Sequence, residues 1–179
     1  MRLFWKGGYA STSTRELLKS MEIGSGSFYN ALKCKKHVYL ESLKLFSATI
    51  GQQREEALLT PPSAALGIRA LFHCVLESLE DPETPSRMCL MSGSISRDVL
   101  ADDDLRSYIE AQMAELGEVM AARLTTDKEA GLLPAAFEPQ GVATIIVTYL
   151  HGLFRMALLS YDRNRLEREI DLLLKGLGL

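Results

Sequence analysis

The densest group of side chains able to meet a polyanion lies in residues 11–36, STSTRELLKSMEIGSGSFYNALKCKK. Ser25, Ser27 and Asn30 can donate and accept hydrogen bonds at base edges or phosphates, Tyr29 has the reach for a phosphate, and Lys33, Lys35 and Lys36 neutralise backbone charge. Gly26 permits close backbone approach. Ser13 and Glu16 have the spacing of a capping box, so Thr12, Ser13, Thr14 and Arg15 mark the positive end of a helix, where a phosphate is favoured. These parts are those of a helix-turn-helix, whose second helix enters the major groove. Catalytic readings fare poorly. GSGS at 24–27 neither follows a strand nor precedes a Lys-Ser/Thr pair, MSGSIS at 91–96 is not a nucleophile elbow, and His37, His73 and His151 lack metal-ligand spacing. No catalytic residue, metal or cofactor is expected, and the protein is not expected to be an enzyme.

Charge distribution agrees with this reading. Residues 1–54 hold nine Lys/Arg against three Asp/Glu, a net +6, and the remainder holds eleven against twenty, a net −9, so a basic head sits on an acidic body. The periodicity predicts an all-α fold. A stump RLFWKGG stops at Gly7-Gly8, and helices follow over about 14–21 and 25–33, with Leu17, Leu18 and Met21, then Phe28 and Leu32, facing inward. A longer helix runs toward Arg54, ending by Pro61-Pro62 and joining two modules. Helices over about 63–80, 104–130, 139–161 and 163–176 complete the chain, with weak helicity at 87–97 and an Asp102–Asp104 cap. Residues 142–161 approach membrane-span length, yet His151, Gly152 and Arg155 sit mid-run, which favours a helix buried on nearly all sides in a core or subunit interface. No membrane association is expected, and without a signal sequence the expected compartment is the cytoplasm.

The stretch LFWKGGYASTSTRELLKSMEIGSGSFYNALKCKKHVYLESL resembles the DNA-binding region of TetR-family transcriptional regulators. Leu3-Phe4 correspond to the end of that family's first helix, Gly8-Tyr9 and Thr12 to Thr14 lead into the second, Gly26-Ser27-Phe28-Tyr29 form the recognition helix, and Lys35 opens the fourth. Departures fall at Gly24, Ala31-Leu32, Cys34 and Lys36, and the family's first helix usually has roughly three turns before its Leu-Phe where this sequence has only Met1 and Arg2, which reads as truncation or an internal Met at the start. The resemblance implies a helix-turn-helix domain over 1–46, its N-terminal helix incomplete, followed by a helical ligand-binding and dimerisation domain over 47–179. It also implies a homodimer through the last two helices on double-stranded palindromic operator DNA, its recognition helices about 34–36 Å apart, and a small-molecule effector that releases a repressor.

For the effector pocket, Phe72, His73, Met88, Cys89, Met91, Tyr108, Met113, Met120 and Tyr149 are the candidates, because flexible Met and aromatic walls suit an apolar or aromatic ligand. Arg97 or Arg155 are candidates to pair with an anion. Cys89 is alternatively a small buried apolar residue or a sensor of electrophiles or oxidants, its basic neighbours in sequence being Arg87 and Arg97; Cys34 has the more electropositive setting. Two readings from other classes stay open: a helical ligand- or partner-binding dimer that has lost DNA binding, and a cysteine-based electrophile- or redox-sensing repressor.

Overall fold

Apolar residues three and four apart, with prolines confined to the junctions, produce helix over most of the chain. The computed structural model describes residues 1–179, and it contains no strand. The head comprises α1 (Arg2–Ser11), α2 (Thr14–Met21), α3 (Ser25–Leu32) and α4 (Lys35–Phe46). The body comprises α5 (Gln52–Leu59), α6 (Ala64–Glu80), single turns α7 (Leu90–Gly93) and α8 (Arg97–Leu100), and the long α9 (Asp103–Glu129), α10 (Pro139–Leu159) and α11 (Arg163–Gly176).

The glycine pair breaks the first helix rather than ending it. Gly8 adopts φ 78° and ψ 172°, a conformation that an L side chain resists, and one more turn follows to Ser11. Phe4 and Trp5 are buried, and both Phe4 and Tyr9 lie against Tyr39 of α4, at ring separations of 4.8 and 4.7 Å. The turn after α2 is made by Glu22, which is left-handed at φ 54°, and the Ile23 N–H donates to the Leu18 carbonyl. On α3 Phe28 is fully buried and Leu32 is half-buried against the core, which leaves the remaining residues of that helix exposed.

A π-helical turn (Ser47–Gly51) connects α4 to α5 without interruption. Residues 35–59 are thus one rod, roughly 37 Å long at 1.5 Å per residue. The domain boundary expected after residue 46 falls inside this rod, and a single apolar cluster of 36 buried residues runs from Phe4 in the head to Leu174 in the body. Asp127, near the end of α9, is buried and accepts the Ala64 N–H at 2.6 Å, capping the start of α6.

Within one chain the apolar run in α10 is buried on one side only. Its helix is long and apolar enough to cross a membrane, but only one side is buried, through Val142, Ile146, Leu150, Leu153, Phe154 and Ala157. Gly141, Ile145, Thr148, Gly152, Met156 and Leu159 form an exposed stripe at helical spacing on the other side. On α11, Leu172 is likewise 72% exposed.

Helices α5 and α6 touch at Gly67, where any Cβ would collide with the Leu58 carbonyl oxygen, a backbone atom that cannot swing aside. Gly67→Ala is expected to destabilise the protein by about 2–3 kcal/mol, read as a lower urea midpoint with an unchanged slope.

Candidate DNA-binding face and effector cavity

Helices α2 and α3 hold the candidate DNA contacts. Ser25, Gly26, Ser27, Tyr29, Asn30 and Lys33 are all exposed, with Tyr29 at 56%. No side chain caps α3, so its first N–H groups stay open to an acceptor. Lys33 sits at φ 60° and ψ −61°, where the Cys34 N–H donates to the Leu32 carbonyl at 2.6 Å, a tight γ-turn of the strained kind. Strain of this sort persists where surrounding structure imposes it, and here it projects a lysine beyond the end of the exposed helix.

The α2 end of the face is arranged differently. Thr12 is buried, and its hydroxyl donates to the Gly8 carbonyl at 2.8 Å, tying the end of α1 to α2. The Ser13 hydroxyl accepts the Glu16 N–H and donates to the Glu16 carboxylate, which also accepts the Ser13 N–H at 2.7 Å. These bonds hold the Glu16 carboxyl below its ordinary range. Both hydroxyls are thereby occupied within the protein, Thr14 is half-buried and Arg15 is exposed.

Of the basic cluster, Lys35 lies 4.4 Å over the Tyr9 ring and donates to the Ala10 carbonyl at 3.5 Å. Lys36 turns away to Asp102 at 3.1 Å and Asp104 at 2.8 Å. The expectation that Lys36 neutralises DNA backbone charge is therefore corrected: the helix-cap aspartates of α9 hold it.

A cavity of about 850 Å³ opens in the body beside the rod, within the range that takes a drug-sized ligand. Four expected residues line it: Cys89, Met91, Tyr108 and Met113. The other five lie elsewhere. Phe72 and Met120 are buried in the core and do not reach the cavity wall. His73 is exposed on the outer face of α6 beside Glu77 and Arg163. Met88 packs under Gly93 and gives its carbonyl to the Trp5 indole N–H at 2.7 Å. Tyr149 faces α11, its ring 5.8 Å from Phe72. Spacing marked these as large residues on inward faces, but not which inward faces meet a void.

Sequence reasoning missed the polar heart of the cavity. Arg54 is 9% exposed, its Nη1 donates to the Cys89 sulfur at 3.5 Å, and its guanidinium stacks 5.7 Å from Phe46 and 5.2 Å from Phe154. Cys89 thus has a basic neighbour that is distant in sequence, and Arg87 and Arg97 play no such part. Arg155, the other anion candidate, reaches the Ile95 carbonyl from an exposed position. The signal for Arg54 was present: Phe46, Ile50, Arg54 and Leu58 recur every four residues, so an arginine occupies a place in an apolar stripe. His151 also lines the cavity, its Nδ1 2.6 Å from the Ser92 hydroxyl and its Nε2 buried without a partner. Burial, then the Arg155 and Arg54 charges, pull its imidazole below 6.5, so it is neutral at pH 7.

No family model matches the chain. It is 26% identical over 181 residues to YezE, an HTH-type transcriptional regulator of Bacillus subtilis (strain 168), covering 99% of this chain and 91% of that protein. Among solved structures it is similar to a cysteine mutant of the TetR-family transcriptional regulator CifR complexed with 26-bp double-strand operator DNA. That likeness has a TM-score of 0.88 and 26% identity over 97% of this chain and 91% of the other. The fold also matches E. coli NemR in its reduced form, with a TM-score of 0.79 and 21% identity over 98% and 89% of the two chains. Taken with the helix-turn-helix in its head, these likenesses over nearly the whole chain show the fold and domain order of TetR-family transcriptional regulators.

Proposed function

We propose that this protein is a repressor that binds a palindromic operator as a homodimer in the cytoplasm and is released when a small molecule fills the cavity. The observation that carries this reading is the physical continuity between cavity and head. The rod of residues 35–59 bears Tyr39 against Phe4 and Tyr9 of α1 in the head and Arg54 in the cavity wall. Segment 89–94 runs across the rod: Cys89 meets Arg54, Ser92 meets His151, and the Ser94 hydroxyl lies 2.6 Å from the Tyr39 hydroxyl. Phe46, stacked on Arg54, also lies edge-on to Trp5 of α1 at 5.1 Å. A ligand that fits the cavity better in one arrangement of these contacts shifts the orientation of the head.

Contact with DNA is assigned to Arg15, Ser25, Gly26, Ser27, Tyr29, Asn30, Lys33 and Lys35, with the open N–H groups of α3 taking a phosphate or base edge. The exposed stripe of α10 and Leu172 of α11 supply the dimer face, where small and apolar residues allow close packing of four helices.

Binding to duplex DNA from upstream of the protein's own gene tests the reading. Affinity above that for random duplex, falling roughly a thousandfold between 50 and 200 mM salt, is the expected result; binding no better than random sinks it in favour of a dimer that has lost DNA binding. Tyr29→Ala combined with Lys35→Ala is expected to weaken operator binding at least about tenfold and to flatten the salt slope by about one for each head. Ile145→Glu with Leu172→Glu is expected to give a monomer by light scattering, with operator affinity lost in parallel because two half-sites are no longer engaged together.

A further inference from the structure

A buried guanidinium normally has a carboxylate beside it, because an uncompensated charge in an apolar setting is costly. Arg54 has none: no Asp or Glu lies within 4.0 Å, its Nε is closed off from solvent without an acceptor, and the one group it donates to is a thiol sulfur. His151 supplies a second orphan on the same cavity, since its Nε2 is buried and unpartnered while Nδ1 is engaged by Ser92. Two buried polar groups without partners, both on the lining of one cavity, define a missing acceptor.

We propose that the cavity takes a small organic monocarboxylate with an apolar body, its carboxylate bound by Arg54 and His151. The carboxylate accepts from the Nε–H and Nη2–H edge of Arg54, the edge not used by Cys89, in the paired geometry that arginine favours. It also accepts from His151 Nε2–H, which fixes the imidazole tautomer so that Ser92 donates to Nδ1. The lining's other cation, Lys44, is held by Glu41 at 2.8 Å, so the single uncompensated cation suits one negative charge. Glu55, Glu56 and Glu115 line the same cavity and disfavour phosphate esters or dicarboxylates. Leu150, Phe154 and Met113 are left for the apolar body. Arg54 stands on the rod that carries the head, so neutralising it acts directly on the element that must move. The proposal rests on the cavity being the effector site and adds the chemical class of its ligand.

The test is calorimetric titration of the full-length dimer with octanoate and 2-naphthoate and with their neutral amides, octanamide and 2-naphthamide. At least one acid is expected to bind about tenfold or more tightly than its amide, and Arg54→Met is expected to bring the acid down to the level of the amide. Arg54→Met removes an unpaired buried charge, so the ligand-free variant is expected to melt no lower than the parent protein. Should that variant fail to fold, His151→Phe, which keeps the ring, carries the test, with a smaller loss of acid preference expected. Equal binding of acid and amide, or an acid preference that survives the loss of Arg54, overturns the proposal. Operator release is read separately by anisotropy. Arg54-dependent acid binding that leaves DNA affinity unchanged upholds the carboxylate site and overturns the repressor-release reading. Absence of any acid preference in the parent protein, when that protein still holds its operator, overturns the carboxylate site alone.

Discussion

A helix that passes unbroken from the DNA-facing head into the apolar body obliges both to share one hydrophobic core. Phe46 shows why: it belongs to the head by sequence, yet it packs on Trp5 of α1 and under the Arg54 guanidinium of the cavity. A rigid rod buried at both ends cannot rotate at one end without repacking at the other, because close-packed interiors shift between discrete arrangements instead of deforming smoothly. The polar bonds reinforce this coupling. Trp5 to the Met88 carbonyl, Tyr39 to Ser94, and Lys36 to Asp102 and Asp104 all join the head to one short stretch, residues 88–104.

That stretch is the least regular part of the body, two isolated helical turns separated by a bend. Short turns gain little from their own backbone hydrogen bonds and depend on the contacts they make. Here those contacts come from the head on one side and from the cavity on the other. Ser92 and Ser94 are both buried, at 2% and 0% exposure, although serine is ordinarily a surface residue; each spends its hydroxyl on a different neighbour, His151 and Tyr39. The polar groups of this segment have been placed where they register the positions of two other parts of the molecule.

Much of this was legible in the sequence. Helix positions follow from periodicity and punctuation, and α2, α6 and α11 match their expected bounds closely because a cap, a double proline or a turn loop marks their ends. The exposed recognition helix was legible too, since only Phe28 and Leu32 could face inward. The cavity was not. Periodicity separates inside from outside but does not distinguish a filled interior from an empty one, so Phe72 and Met120 could not be told from Met91 and Met113. Arg54 escaped because charge was summed by region, which counted a buried guanidinium as part of a basic surface. Lys36 escaped for the converse reason: its partners, Asp102 and Asp104, lie more than sixty residues away and are brought to it only by the fold.

The π-helical turn at Ser47–Gly51 bears on how such a protein can evolve. A π turn holds one residue more than an α turn, and each residue advances a helix by about 100°, so this segment sets the angular phase between Tyr39 and Arg54. A lineage that lost one residue here would close the wide turn into an α turn, keeping the phase between reading helix and cavity while bringing them about 1.5 Å closer; a second loss would turn one relative to the other by about 100°. Exchange of heads and bodies among relatives is therefore expected to tolerate a difference of one residue in this joint and not of two, whatever the similarity of the parts on either side.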